Sequence, residues 1–528
     1  MDFYANATFP IINGSQAVCE GFGPYLRDES RMPGGRADAL VFPRTENEMA
    51  AVLENAFQSG TPITLSGGRT GIVGGAVPFG GLLMSLDQFD RFLGVRWDDK
   101  RQSWTVRIQP GMRIETLEAL IQKRIAPESV AADDALDNKE SKRFFSSSSN
   151  WFYPPDPTEK TAQAGGTVAT NASGSHSFRF GQTRNFVRGL HVVLSDGTVL
   201  TLSREGETRS IGERFRIIGK NGEAEVPVPN YFQPSVKNVA GYFSRNSLNF
   251  MDLFVGSEGT LGAISEIELE LAPKPSSLFG GIAFFPSETD AVSFVRSIRN
   301  DRRCHPWILE YFDGHSLTLL GSSSESFPTM PNQSGAAVCF EQACLPQELD
   351  ALIAAYDALL SENGSDLNRT WGATDETELA RLTRFRHALP ETVNRLIGQR
   401  QQEIPELSKI GTDFAVQDKD LERVFRLYRS KLDPTGMEYV VFGHIGENHV
   451  HVNMLPKDRD ELHKAKSIYL ELAREIVAWG GTVSAEHGIG KLKKHLLPIM
   501  FRPEHIEEMK AIKRALDPKW ILGKDTLF

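Results

Sequence analysis

The sequence predicts a two-domain α+β protein. At 528 residues the chain is too long for a single hydrophobic core. Its glycines gather in three clusters, each beside a short β-branched run, and short strands broken by glycine-rich turns are typical of an α+β domain that exposes backbone to a ligand. In the second half, strands predicted near 279–285 and 335–341 alternate with helices predicted near 287–299 and 346–361. The two patterns predict two successive α+β domains.

Helix signals mark the first elements. Thr45 and Glu48 match a capping box, and apolar residues follow at helical spacing until Gly60 and Pro62 end the helix. A second helix is predicted from Ile114 to Lys123, where four apolar residues share one face.

Two later stretches lack usable periodicity. Residues 127–150 are polar and serine-rich, and we expect a flexible surface insertion there. Residues 203–235 are also predicted to be irregular.

The boundary between the two domains is predicted near Pro273. An alternating strand from Ile264 to Leu271 runs into Pro273-Lys274-Pro275, and proline is excluded from central strands. We therefore expect an N-terminal extension (1–37), a first domain (38–273) and a second domain (274–528), with further helices in the second domain at 376–400 and 459–479.

Composition and charge exclude several classes of function. The net charge of −10 counts against binding to nucleic acid or to an acidic membrane. No apolar stretch is long enough to cross a bilayer, and no basic residue precedes Arg27, as a signal peptide would require. The four cysteines stand apart without a C-x-x-C pair, which counts against a disulfide scaffold or an iron–sulfur cluster. We expect a cytoplasmic protein, with peripheral contact to the inner membrane left open.

Three glycine-rich segments carry the chemistry of the first domain. They are Ser66–Ala76, Gly165–Gly174 (preceded by Pro154–Thr158) and Val255–Gly262. Consecutive glycine amides can form a concave nest of N–H donors that binds an anion. One such loop alone is as well explained by a tight turn. Three of them predict one large cofactor laid along the backbone.

Histidines cluster in the second domain. His444, His449 and His451 fall within eight positions, and Glu486-His487 follows downstream. If Tyr439–Phe442 is a strand that continues through the segment, His449 and His451 share a face while His444 is out of phase. Gly446 could then supply a bend that brings His444 round. Imidazoles with one carboxylate are typical of a divalent metal site with open positions, whereas the alternative is a set of core histidines with hydrogen-bond partners.

These segments resemble a known family. The glycine-rich segments are similar in order and spacing to the flavin-binding domain of the vanillyl-alcohol oxidase / p-cresol methylhydroxylase flavoproteins, and the histidine segment resembles the D-2-hydroxyacid dehydrogenase branch. That branch includes D-lactate dehydrogenase, D-2-hydroxyglutarate dehydrogenase and the flavin subunit of glycolate oxidase. The resemblance runs from about residue 38 to the C-terminus. It implies a two-subdomain FAD-binding domain followed by an α+β substrate domain, with a ferredoxin-like sheet plus helices.

The resemblance also implies which residues hold FAD. The pyrophosphate would lie at Ser66, Gly67, Gly68, Arg69, Thr70, Gly71, Gly75 and Ala76, and the isoalloxazine ring would lie near Pro155, Asp156, Thr158 and Thr161. The ribityl chain and diphosphate would be held by Gly165, Gly166, Thr170, Asn171 and Gly174. The adenine side would be bordered by Gly256, Glu258, Gly259 and Ile264. Many members attach flavin through a histidine in the first loop. No histidine occurs between residues 1 and 175 here, so we expect non-covalent FAD.

In the second domain the resemblance implies a metal and a base. Carried over from the motif H-x-G-D-G-N-x-H-x-N, His444, His451 and Glu486 would hold a divalent metal, with zinc as the expected ion, and His487 would be the base. The centre of the motif has become Glu-Asn-His here, which leaves His449 open as an extra ligand, a substrate contact or a flavin neighbour. Arg386 is expected to bind a substrate carboxylate, with Arg384 as the competitor and Lys409 as a second positive charge.

The implied activity is oxidation of a small D-2-hydroxy acid (of the lactate, glycolate or 2-hydroxyglutarate type) to the 2-oxo acid. Metal-assisted proton abstraction would accompany hydride transfer to flavin N5. Electrons would leave for a quinone, a cytochrome, an electron-transfer flavoprotein or oxygen. Two alternatives stay open: a metal-independent flavin oxidase of alcohols or sugars, and a flavin-binding subunit of a larger redox complex.

Overall fold

The computed structural model describes residues 9–123, 139–322 and 327–528. The first domain contains two main sheets. The first has the spatial order Ile11–Asn13, Ala39–Val41, Leu82–Ser85 and Ile63–Ser66, with the last three strands parallel. The second is antiparallel, in the order Phe92–Asp98, Ser103–Ile108, Ala263–Glu270, Val187–Val193 and Val199–Ser203. The helices of this domain are Ser15–Phe22, Glu46–Ser59, Ile114–Lys123, Lys139–Ser146, Ala164–Ala169 and Ser177–Phe180.

The second domain is built on one antiparallel sheet of seven strands. Their spatial order is Thr370–Ala373, Ser277–Phe285, Ala336–Cys344, Ile308–Asp313, Tyr439–Gly443, His451–Met454 and Ile410–Gly411. Its helices are Glu288–Asn300, Gly314–Gly321, Leu349–Glu362, Glu376–Glu403, Leu421–Leu432, Arg459–Ala478, Leu497–Met500 and Pro503–Leu516. The predicted α+β class is confirmed.

Local signals near the start of the chain agree with the structure. Thr45 Oγ1 accepts a hydrogen bond from Glu48 N–H, and Gly60 ends the helix in the left-handed region, at φ 70°. The helix Ile114–Lys123 has the predicted bounds. Apolar periodicity and caps are local properties, so the sequence alone specifies these elements.

Two predictions of irregular structure are wrong in part. Within the expected insertion, Lys139–Ser146 is a helix whose Phe144 ring packs at 5.2 Å from Trp104, and residues 127–138 lie outside the described residues. Within 203–235, Arg214–Gly219 and Gly222–Pro227 pair as a hairpin. Both elements are short and depend on a few buried side chains such as Phe215, so tertiary packing outweighs the weak local pattern. Small two-residue ladders also join Thr208–Arg209 to Leu248–Asn249 and Trp151–Phe152 to Ala272–Pro273.

The C-terminal residues return to the first sheet. Leu522 forms a parallel bridge with Ile63, and Ile63 N–H donates to the carbonyl of Ile521 at 2.6 Å. Both side chains are buried with Val41 and Met84. Residues 521–522 therefore pack against the edge of the sheet that carries the first glycine-rich loop. Among the described residues, none of the helices combines the length and apolar character needed to cross a membrane.

Candidate active site

The histidine segment folds as strand, turn and strand. The strand Tyr439–Gly443 is followed by a 3-10 turn, Ile445–Glu447, and Asn448 takes the left-handed region at φ 54°. This turn brings His444 beside His451, as the predicted bend requires. Gly446 lies at the middle of this turn without a positive φ, and an added Cβ would lie 2.8 Å from Phe178 Cγ, so the position also requires close packing.

Four side chains converge at this turn. One potential ligand atom from each of His444, His449, His451 and Glu486 lies within 4.8 Å of the others. Glu486 Oε1 lies 3.2 Å from His444 Nε2. On their outer sides, His444 Nδ1 lies 2.8 Å from Glu310 Oε1 and His451 Nδ1 lies 2.9 Å from the carbonyl oxygen of Thr412. Such outer acceptors orient imidazoles that bind metals.

Carboxylates dominate the electrostatics of this cluster. Burial would lower the pKa of His444, but Glu310 and Glu486 raise it to about 10. Burial would raise the pKa of Glu486, whereas His444 and Lys237 hold it well below its ordinary value. The carboxylates therefore favour positive charge at His444, whereas burial lowers the pKa of His449 and His451 and favours their neutral, metal-binding form.

Lys237 is a member of the site that the sequence did not indicate. Its ammonium is buried, contacts Glu486 Oε1, and lies 2.6 Å from Glu447 Oε2 and 2.8 Å from Ser177 Oγ. These contacts fix Glu486 from the side of the first domain. Lys237 directly follows a stretch predicted to be irregular, and a lone lysine carries no local signal of burial.

The loop that carries Glu486 and His487 is held by a buried carboxylate. Asp413 accepts hydrogen bonds from Ser484 Oγ (2.7 Å) and Lys493 Nζ (2.8 Å), and from the backbone N–H groups of Glu486 (3.2 Å) and His487 (3.1 Å). Burial would raise the pKa of Asp413, but His487 and Lys493 hold it well below its ordinary value. The sequence did not single out this residue, because an aspartate before an apolar run resembles any loop residue.

The same loop contacts the glycine-rich segments of the first domain. Glu258 accepts hydrogen bonds from the N–H groups of Ile489 (2.9 Å) and Gly490 (2.7 Å). Gln182 Nε2 donates to Ser173 Oγ at 3.1 Å and lies 3.4 Å from the carbonyl oxygen of Ala485. The predicted cofactor segments and the His487 loop are thus direct neighbours.

The structure separates the two candidate arginines. Both lie on the helix Glu376–Glu403, but Arg384 is exposed whereas the Arg386 side chain is 12% exposed. Arg386 Nη1 has no hydrogen-bond partner among the described residues and lies 4.0 Å from Glu310, the acceptor of His444. Lys409 Nζ donates to Asn394 Oδ1 at 2.8 Å. Arg386 is therefore the arginine beside the cluster.

Close backbone contacts bring the predicted flavin segments together. A Cβ added at Gly68 would lie 3.0 Å from the Thr161 carbonyl oxygen, and one added at Gly174 would overlap the Asp156 carbonyl. A Cβ added at Gly256 would lie 3.3 Å from the Cβ of Asn171. By contrast, a Cβ added at Gly71, Gly75 or Gly166 would meet no atom within 4 Å. These three glycines line open space that a bound group can occupy.

Several of the predicted flavin residues already have partners for their side chains. Hydrogen bonds join Asn171 to Gln182 and Arg184, Glu258 to Ile489 and Gly490, and Arg69 to Asp87 and Gly67. Hydrogen bonds also join Asp156 to Lys160 and Ser175, Thr161 to Glu159, and Thr170 to Gly166. Ile264 is buried in its strand, and Thr158 is exposed. Ser66 Oγ and Gln163 Oε1 are buried without a hydrogen-bond partner among the described residues. Gln163 was not predicted, although it lies two residues before the glycine pair Gly165-Gly166.

Two family models match the chain. The FAD binding domain matches residues 37–132 and 145–203, and the C-terminal domain of FAD linked oxidases matches residues 275–525. Together they span both halves of the structure described above.

Curated relatives match nearly the full length of the chain. It is 25% identical over 508 residues to glycolate oxidase subunit GlcD of Bacillus subtilis, covering 96% of this chain and 92% of that protein. It is 26% identical over 526 residues to D-lactate dehydrogenase of Anaerostipes hadrus (94% and 91%) and 24% identical over 516 residues to D-2-hydroxyglutarate dehydrogenase of Stutzerimonas stutzeri (96% and 95%).

The fold also matches a solved structure. Alkyldihydroxyacetonephosphate synthase superposes with a TM-score of 0.60 at 17% identity, covering 93% of this chain and 76% of that one. This likeness confirms the expected vanillyl-alcohol oxidase type of fold.

Proposed function

We propose, from the premise that this chain belongs to the FAD-linked oxidase family, that it oxidises a small D-2-hydroxy acid to the 2-oxo acid. The observation that carries the proposal is the juxtaposition of His444, His451, Glu486 and His487 with Arg386, at the contact between the glycine-rich segments and the second domain. Relatives that match the whole chain are named for glycolate, D-lactate and D-2-hydroxyglutarate.

FAD fits the residues of the first domain. Gly71, Gly75 and Gly166 leave the space that a diphosphate needs, and Ser66 Oγ and Gln163 Oε1 are buried polar atoms that need a partner. When bound, FAD would accept the hydride equivalent at flavin N5. We keep the assignment of the predicted residues to the parts of FAD. Because many of their side chains already have hydrogen-bond partners within the protein, mainly their backbone groups would contact FAD.

A divalent metal fits the second domain. His444 and His451 each direct one ring nitrogen outward to an oxygen acceptor, which leaves Nε2 of both rings for an ion beside Glu486. When bound, such an ion would lower the pKa of the substrate hydroxyl as a Lewis acid.

His487 would take the hydroxyl proton. Its ring lies over His451, with centroids 5.7 Å apart, while Nδ1 lies 3.3 Å from Asp413 Oδ2. This arrangement leaves Nε2 for the substrate, at a site 31% exposed. Asp413 thus orients the base, as a carboxylate does in other acid–base pairs.

Arg386 would bind the substrate carboxylate. Its unpartnered Nη1 and its low exposure fit a fork that awaits an anionic ligand. An enzyme acting on sugars or simple alcohols would have no carboxylate for this group, so the acid substrate is favoured over that alternative.

The test is anaerobic reduction of the bound flavin. The purified protein is mixed with both enantiomers of lactate and 2-hydroxyglutarate, with glycolate, and with a sugar and a simple alcohol. We expect bleaching by a 2-hydroxy acid, with D preferred over L, and loss of bleaching after chelation while FAD stays bound. Bleaching by the sugar or alcohol alone would support the metal-independent oxidase instead. No bleaching by any compound would favour the flavin-binding subunit.

A further inference from the structure

His449 is the third imidazole of the cluster and the most deeply buried. Its side chain is 0% exposed, and neither ring nitrogen makes a well-formed hydrogen bond to the described residues. Asp413 lies beside Nε2, but Nδ1 has lost water without gaining a hydrogen-bond partner among the described residues, and that loss is costly. The site therefore indicates a ligand for this ring.

The surroundings of His449 repeat those of its two neighbours. His444 and His451 each face an outer oxygen, from Glu310 and from the backbone of Thr412, at 2.8 and 2.9 Å. His449 Nε2 likewise lies 3.2 Å from Asp413 Oδ1. Each ring thus has one nitrogen beside an acceptor, the arrangement that orients imidazole ligands of metals.

The inner nitrogen of His449 faces the same carboxylate as His444. His449 Nδ1 lies 3.9 Å from Glu486 Oε1, and His444 Nε2 lies 3.2 Å from that oxygen. The ring centroids of His449 and His451 are 4.3 Å apart. One potential ligand atom from each of the four groups lies within 4.8 Å of the other three.

We infer that His449 is a fourth protein ligand of the metal, held in place by Asp413. The inference rests on the metal site of the proposed function and adds a ligand to it. Three imidazoles and one carboxylate form a nitrogen-rich set, which favours first-row ions such as Fe²⁺, Co²⁺, Ni²⁺ or Zn²⁺ over Mg²⁺ and Ca²⁺. Because four protein donors already complete a tetrahedron, substrate binding would require an ion that accepts five or six donors.

The experiment is a titration of the chelated, FAD-containing protein with Co²⁺, followed by calorimetry and by the cobalt absorption bands beyond those of flavin. We expect wild type to bind one Co²⁺ per chain and His444→Asn to lose binding. Loss of an outer support costs about tenfold to a hundredfold in metal affinity, so His449→Asn, which removes a ligand, should weaken Co²⁺ binding by more than about a hundredfold and alter the bands. His463→Asn, in the exposed part of the helix Arg459–Ala478, is the control and should match wild type.

The outcomes separate the inference from the proposed function. Wild-type affinity and unchanged bands in His449→Asn would overturn the role of His449 and leave the three-ligand site standing. No Co²⁺ bound by wild type would overturn the metal site itself. If His449→Asn does not fold, X-ray absorption of cobalt-loaded wild type decides: three imidazoles at the ion support the inference, and two overturn it.

Discussion

Asp413 Oδ2 lies 3.3 Å from Nδ1 of His487 and accepts a hydrogen bond from the backbone N–H of the same residue at 3.1 Å. One oxygen therefore fixes both the position of His487 in the loop and the direction of its ring. The other oxygen, Oδ1, lies 3.2 Å from His449 Nε2. A single buried carboxylate thus links the proposed base to the histidine cluster.

Replacement of His487 should separate chemistry from binding. His487→Asn removes the base but leaves His444, His451 and Glu486, so we expect normal FAD and metal content. Anaerobic flavin reduction should slow by about 10²–10⁴. Stopped-flow absorbance measures this rate, and exposed His495→Asn is the matched control. Loss of metal from His487→Asn, with metal retained in Glu486→Ala, would show that the two roles are reversed.

Replacement of Arg386 should weaken substrate binding. Arg386→Lys keeps the charge but loses the two-pronged contact, so the substrate concentration at half-maximal flavin reduction should rise about tenfold to a hundredfold. The limiting rate should change less. Arg384→Lys, on the same helix but exposed, should behave like wild type. Equal effects in the two variants would contradict the assignment to Arg386.

Filling the glycine-lined space should remove the cofactor without unfolding the chain. In Gly166→Leu the new Cβ would have no protein atom within 4 Å, so we expect the chain to fold. FAD binding should weaken about tenfold or more, since overpacking costs about 1–3 kcal/mol. Flavin content after gel filtration measures the loss. Gly398→Leu, in a helix interior with equally open surroundings, is the control. Gly68 is a poorer probe, because protein atoms lie 3.0 Å from its added Cβ.

Asp156 should stabilise the fold in a pH-dependent way. Burial would raise its pKa, but His176, Lys160 and Ser175 hold it well below the ordinary 3.8. A carboxyl with a lowered folded-state pKa contributes stability above that ordinary value and loses it as pH falls through the folded-state value. Asp156→Asn should cost about 1–3 kcal/mol between about pH 5 and 8.

Urea unfolding at several pH values tests this expectation. The difference in the free energy of unfolding between wild type and Asp156→Asn should be constant above about pH 5 and decrease below about pH 4. A difference in unfolding free energy that is equally large at about pH 7 and about pH 3 would contradict a contribution from the ionised Asp156 carboxylate.

The parts of the fold that could be predicted are those with local causes. Helix Ile114–Lys123 follows from apolar spacing, and the strand Ala263–Glu270 from alternation. The helix Lys139–Ser146 was missed because its stability comes from Phe144 packing on Trp104, a contact distant in sequence. Tertiary packing of this kind leaves little trace in a short window of residues.

The candidate site divides in the same way. His444, His451, Glu486 and His487 stand in dense motifs and were found from them. Their supports Glu310, Asp413 and Lys237 are single charged residues on separate elements, and the fold alone brings them together. Their burial is what gives them a role, and burial of a lone charge is not visible in the sequence.

The pairing of Ile63 with Leu522 has a consequence for synthesis of the protein on the ribosome. Ile63 acquires this partner late in synthesis, because Ile521 and Leu522 follow it by more than 450 residues. Until they are made, the backbone of Ile63 has no partner on the open side of its sheet, and unpaired edge groups are prone to wrong pairing. A nascent chain stalled before Leu522 should therefore depend on chaperones, and removal of residues 521–528 should loosen the first domain.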